Sequence, residues 1–292
     1  MKQEEIIEKF KKFEAEKKEE IEKSLKKLDE FLKKFPFRNK PEEIDALTED
    51  KIYKKGNKDT FIYEIEYSLK ELGGIKPYSA KYALNARDKI EEFKALLKNA
   101  LSSASPLYEK IDLPWENIEG WGKDKMVIKK IIFCYYPDEV IPIFNTKHLE
   151  IIAEKLGINY NQEAEKRYKD SYHNLSIGKK FELLNDVLKQ YLKNTLGREL
   201  NRFNNVLYMW FLYDKNYGLG KFIKSKETEN QDDSEEIEET PSEQEKIQPL
   251  LSILNALQTK PFLILAGISG TGKTQIARLI AWAMSGEEKN EK

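Results

Sequence analysis

The sequence predicts a mainly α-helical chain that passes into the first strand and helix of an α/β unit. Three observations predict it. Apolar residues recur at three- and four-residue steps through most of the first 215 positions, which is the helical period. An acidic stretch at 227–246 then interrupts that period. Beyond it, a short apolar run, a glycine-rich segment and a second helical row follow in the order strand, loop, helix.

The chain has 292 residues, room for two domains or one large one. Charged residues make up 35% and hydrophobic residues 40%, enough for a core. The net charge of -1 conceals an uneven distribution. Residues 51–226 carry 31 basic and 23 acidic side chains, whereas residues 227–246 carry 1 and 10. A moderately basic body is thus followed by a solvated acidic linker. The start, Met1-Lys2-Gln3-Glu4-Glu5, lacks a signal peptide's apolar stretch, and no run approaches about 18 apolar residues, so no membrane partner is expected. Cys134 is the single cysteine, which excludes an internal disulfide and points to the cytoplasm. Its neighbours, Ile131-Ile132-Phe133 and Tyr135, suggest a buried small hydrophobe rather than a nucleophile. His148 and His173 have no cysteine partners at metal spacing, so no zinc site is expected.

Residues 1–35 read as one long helix. Ile21, Leu25, Leu28, Leu32 and Phe35 form a heptad seam that Ile6, Phe10 and Phe13 extend and Lys17 interrupts. The seam packs either on its own domain or on another copy as a coiled coil, and Pro36 ends it. Phe61, Ile65, Leu69 and Leu72 share a face closed by Gly73-Gly74. Further helices are predicted over Tyr82–Leu101, Met126–Tyr135, Thr146–Leu156, Ile177–Leu192 and Arg198–Leu212; the aromatic run from Asn204 to Tyr213 reads as a closing core helix. The expected organisation is an N-terminal helix and connector at 1–50, a helical domain at 51–226, the linker at 227–246 and an α/β segment at 247–292.

In that last segment Pro261 introduces Phe262-Leu263-Ile264-Leu265-Ala266, a buried-strand run. Gly267-Ile268-Ser269-Gly270-Thr271-Gly272-Lys273-Thr274 follows and matches the phosphate-binding pattern G-x-x-x-x-G-K-[ST] in full. Gly267, Gly270 and Gly272 let the backbone turn its amides toward a phosphate, with a helix N-terminus behind them. Lys273 is expected to reach the β- and γ-phosphates and Thr274 to hold Mg²⁺ through its hydroxyl, with ATP or GTP as cofactor. A glycine-rich turn that binds nothing is the alternative. Only eighteen residues follow Thr274. A strand ending in acids to hold Mg²⁺ and water, a sensor and an arginine finger are not expected among them, so these residues alone are expected to bind ATP or GTP weakly and to hydrolyse neither measurably.

The run from Pro261 through Arg278, with the helix before it, resembles the start of the AAA+ module of McrB-like proteins, the motor subunits of modification-dependent restriction systems. The resemblance covers about residues 245–284, and relatives often have prolines where Ile268 and Ser269 stand. It implies a DNA-recognition domain ahead of the motor, and AAA+ and nuclease partner subunits.

Within the helical domain, Ile118-Glu119-Gly120-Trp121-Gly122-Lys123-Asp124-Lys125-Met126 looks like a helix-hairpin-helix turn. Gly120 and Gly122 would expose amides to a DNA phosphate, with Lys123, Lys125, Lys129 and Lys130 adding charge; a plain interhelical turn is the alternative. The following Pro142-Ile143-Phe144-Asn145-Thr146-Lys147-His148 resembles the segment after that turn in helix-hairpin-helix DNA glycosylases. That family places its catalytic aspartate at the position of Asn145, and its bifunctional members a lysine near Asp124. An amide cannot act as the base, so the resemblance implies binding without base excision. Three readings remain: a DNA-binding, nucleotide-binding subunit or remnant of a McrB-like motor; a self-associating fragment that regulates a full-length motor; and a glycosylase-like enzyme.

Overall fold

The computed structural model describes residues 3–75 and 81–223, and the expected phosphate-binding segment lies outside them. The described residues contain helices and no strand. They run α1 (Gln3–Lys34), α2 (Glu49–Ile52), α3 (Phe61–Tyr63), α4 (Lys81–Asp88), α5 (Ile90–Ala100), α6 (Leu107–Asp112), α7 (Met126–Tyr135), α8 (Thr146–Lys155), α9 (Tyr160–Tyr168), α10 (Ile177–Leu196) and α11 (Arg202–Tyr213), with short 3₁₀ turns between some of them.

At 32 residues α1 is about 48 Å long, and it lies along the body. Its seam residues Ile6, Phe10, Phe13, Ile21, Leu25, Leu28 and Phe35 are buried in the same core as the helices after residue 50. Near its N-terminus Phe10 meets Phe211 of α11 edge-on at 5.2 Å. Near its C-terminus Phe31 meets Phe61 and Tyr135, both at 5.8 Å. Each apolar side chain so buried contributes roughly 1.5–3 kcal/mol. Arg198 fastens the flank by gripping both oxygens of Glu14, a fork that matches carboxylate geometry. The seam is therefore occupied within the chain.

Two expected helices are broken. The face of Phe61, Ile65, Leu69 and Leu72 is buried as predicted, but α3 passes into a π-turn at Glu64–Ser68, where Leu69 N bonds to Glu64 O, five residues back. The predicted helix 82–101 divides at Lys89, which leaves helical geometry at φ -107°, ψ 50°. Its ammonium donates to Asn117 O, and Asn85 Nδ2 donates to Glu119 O. Both side chains thus turn toward the loop before α7, a tertiary pull that local sequence does not encode.

The irregular stretch 137–145 is buried apart from the exposed Asp138 and Glu139 and the half-buried Asn145, and unpaired backbone groups in its buried part are expensive. Two fully buried asparagines satisfy it. Asn185 on α10 bonds both the amide and the carbonyl of Ile141, and Asn205 on α11 donates to the carbonyls of Pro137 and Asp138. This stretch delivers the chain to α8 in a fixed position beside α7.

Candidate nucleic-acid interface

The turn before α7 is anchored from beneath. Ile118 and Trp121 are buried, while Glu119, Gly120, Gly122 and Lys123 face solvent. The Trp121 ring stacks on Phe93 at 5.9 Å and meets Tyr82 edge-on at 5.3 Å. Three residues adopt positive φ: Gly120 at 92°, Gly122 at 72° and Lys125 at 51°. Gly120 is required twice over, since an added Cβ would also stand 2.9 Å from the Tyr82 backbone nitrogen. Lys125 opens α7 without capping its first turn through its side chain. The N-cap side chain thus leaves the first turn of α7 uncapped, with Met126 half-buried and Val127 and Ile128 buried, and the backbone amides of an uncapped turn can meet an anion.

The four lysines around the turn separate into two pairs. Lys123 is exposed and makes no ion pair among the described residues. Lys125 folds back, its ammonium donating to Leu113 O at 3.2 Å and lying 3.6 Å from Glu116. Lys129 and Lys130 are fully buried, and the expectation that they add surface charge is corrected. The cause is the helix itself: apart from these two lysines α7 is apolar, every residue from 127 to 135 is buried, and the lysines are enclosed with their neighbours. Burial pushes the Lys129 ammonium down, and Asp124 opposes that shift. Burial takes Lys130 down to about 8, with Gly73 O accepting from it at 2.7 Å.

Asp124 and Lys129 form the main polar tie of the site. Lys129 Nζ donates to Asp124 Oδ1 at 2.6 Å, to Thr146 Oγ1 at 2.7 Å and to Phe144 O at 3.0 Å. Asp124 also accepts from the Thr146 amide at 3.0 Å and from its hydroxyl. One carboxylate therefore joins the turn before α7 to the first residue of α8. Sequence reading missed this tie because its members are twenty-two positions apart; the usable signal was a lysine pair inside Met126–Tyr135. Asn145 is the N-cap of α8, its side chain accepting from the His148 amide at 3.2 Å. His148 Nδ1 pairs with the Tyr213 hydroxyl at 2.7 Å, and the described residues hold no group of three or more metal-ligating side chains. Cys134 is fully buried, with its thiol pushed up to about 12 by burial, and is inert as a nucleophile. No protein-family model, curated protein or solved structure matched the chain in comparison.

Proposed function

We propose that the chain is a DNA-binding, nucleotide-binding part of a McrB-like restriction motor. The observation that carries this reading is the complete phosphate-binding pattern at 267–274, set between a strand-like apolar run and a helical row. ATP or GTP with Mg²⁺ is the cofactor, Lys273 compensates the β- and γ-phosphate charge, and Thr274 ligates the metal. DNA is held ahead of it through phosphate contacts at the turn carrying Gly120, Gly122 and Lys123, with Lys125 fixing the turn's shape. Such binding positions a duplex without reading its sequence.

Two observations weigh against the other readings. The seam of α1 is already buried on its own body, which disfavours regulation by coiled-coil pairing. Asn145 and Asp124 are both committed to holding α8, which disfavours base excision. The experiment is a titration of the chain with fluorescent ATP and GTP analogues in Mg²⁺. Binding should fall at least tenfold in Lys273→Ala, since a lost charge-assisted phosphate contact is worth about 1.5–3 kcal/mol. Equal binding by the two proteins would remove the nucleotide from the proposal.

A further inference from the structure

The described surface leaves two large hydrophobic side chains in solvent, Phe222 and Tyr67, and Tyr67 is the more exposed at 54%. Its ring does not stand alone. It lies on the half-buried Tyr63 ring with centroids 4.9 Å apart and planes at 28°, so one aromatic face is backed by a second. Tyr67 lies in the π-turn Glu64–Ser68 and Tyr63 is the residue just before it; such helical irregularities recur at functional sites.

The surroundings supply positive charge. Lys51 near the end of α2 and the loop 53–60 that leads into α3, with Lys54, Lys55 and Lys58 and also Tyr53, supply it. Tyr53 lies close enough to Tyr67 to bear on its hydroxyl, which is pushed up chiefly by Glu66. Lys55, Lys58 and Lys70 are exposed and make no ion pair among the described residues. Nearby acids are largely occupied. Lys34 holds Asp59 and Glu64, Lys54 holds Asp50, and Glu66 accepts from the Tyr82 hydroxyl with its own carboxyl pushed up by burial. Glu49 and Glu71 remain exposed as opposing charges. Tyr82 also packs on Trp121 and against Gly120, so one residue touches both the π-turn and the turn before α7.

We propose that Tyr63 and Tyr67 form a stacking platform for an unpaired base of single-stranded DNA, with Lys55, Lys58 and Lys70 attracting its backbone. An exposed, backed aromatic face flanked by free ammonium groups fits a nucleobase with its phosphate, because every base presents a π-face and every nucleotide a negative charge. The proposal rests on the reading that the helical body binds DNA. It adds a single-stranded element that the turn before α7 does not supply.

The test is fluorescence anisotropy of the full chain with labelled oligo-dT and with a blunt duplex of matched length, at matched low salt. Tyr67→Ala should weaken oligo-dT binding about 5- to 160-fold, the range for loss of one stacked base, while Tyr67→Phe keeps it. Duplex binding should change less than twofold in either variant. Because Tyr67 projects into solvent, both variants should retain the native circular dichroism spectrum. Oligo-dT affinity equal in the native chain and Tyr67→Ala overturns the platform, whatever the duplex does. Loss of oligo-dT binding in Tyr67→Ala from a native chain that ignores duplex keeps the platform and removes the duplex contact. A native chain that binds neither overturns both.

Discussion

Helix α7 follows Lys125, which stands in the left-handed region and makes no cap bond through its own side chain. Helix α8 begins at Asn145, whose side-chain oxygen takes the His148 amide at 3.2 Å. Asp124 stands between them, one residue before Lys125 and bonded to the first amide of α8. The two starts have the same need, since each helix leaves amides without internal partners. They meet it differently. The α8 start is sealed by the protein itself, which suits a fixed structural element. The α7 start is approached by glycines and fringed by an exposed lysine, which suits an external anion. The difference teaches that two adjacent helix starts can be built to different ends: Asn145 is spent on capping α8, while the turn before α7 takes its shape from glycines and the buried Trp121 instead of a side-chain cap.

Removing the joint should have the largest effect. Asp124→Ala leaves the Lys129 ammonium buried without its counter-charge and deprives the Thr146 amide of its acceptor. Breaking a buried pair on one side typically costs 3–5 kcal/mol, and that loss is expected in urea unfolding monitored by circular dichroism. The double change Asp124→Ala with Lys129→Met should recover part of it, because no buried charge is then left alone. A single variant as stable as the native chain would show that the joint does not hold the two starts together.

Unsealing α8 comes next. Asn145→Ala removes a cap and should lower stability by about 1 kcal/mol, whereas Asn145→Asp keeps the acceptor and should stay near the native value. If alanine proves neutral, the His148 amide is satisfied by other means and the contrast between the two starts is lost. The aspartate variant also places an acid at the position where the resemblance to glycosylases would put one. Release of a damaged base by it would show that only the acid was missing; none is expected with Asp124 held in the joint.

The sequence made some of this legible and hid the rest for physical reasons. The buried face of Phe61, Ile65, Leu69 and Leu72 and the closing helix of α11 follow from periodicity, because a helix records its burial in spacing. The buried fate of Cys134 follows from its neighbours. The break at Lys89 does not, since Asp88-Lys89-Ile90 contains no helix breaker and the cause is a pair of hydrogen bonds to the distant carbonyls of Glu119 and Asn117. The Asp124–Lys129–Thr146 joint was hidden for the same reason. Lys123 was legible and Lys129 was misplaced, although both are lysines near one turn, because Lys123 stands on the exposed turn before α7 whereas Lys129 lies inside a helix enclosed on all sides. The phosphate-binding residues 267–274 lie outside the described residues and rest on sequence alone.

The smallest effect on stability, and the sharpest on function, is expected at Lys123. It is exposed and without an ion pair among the described residues, so Lys123→Ala should unfold within about 0.5 kcal/mol of the native chain. A lysine on a phosphate, however, releases one condensed counterion when it binds. Its loss should weaken duplex binding uniformly across sequences and lower the slope of log affinity against log salt by about 1. Bulky substitution of Gly120 is a poorer probe, because the added side chain meets the Tyr82 backbone nitrogen and disturbs the fold together with the amides. Duplex binding measured over a salt series for native and Lys123→Ala chains separates the cases. An unchanged slope would place the phosphate contact away from the open start of α7, and the turn would then be a structural connection like its sealed neighbour.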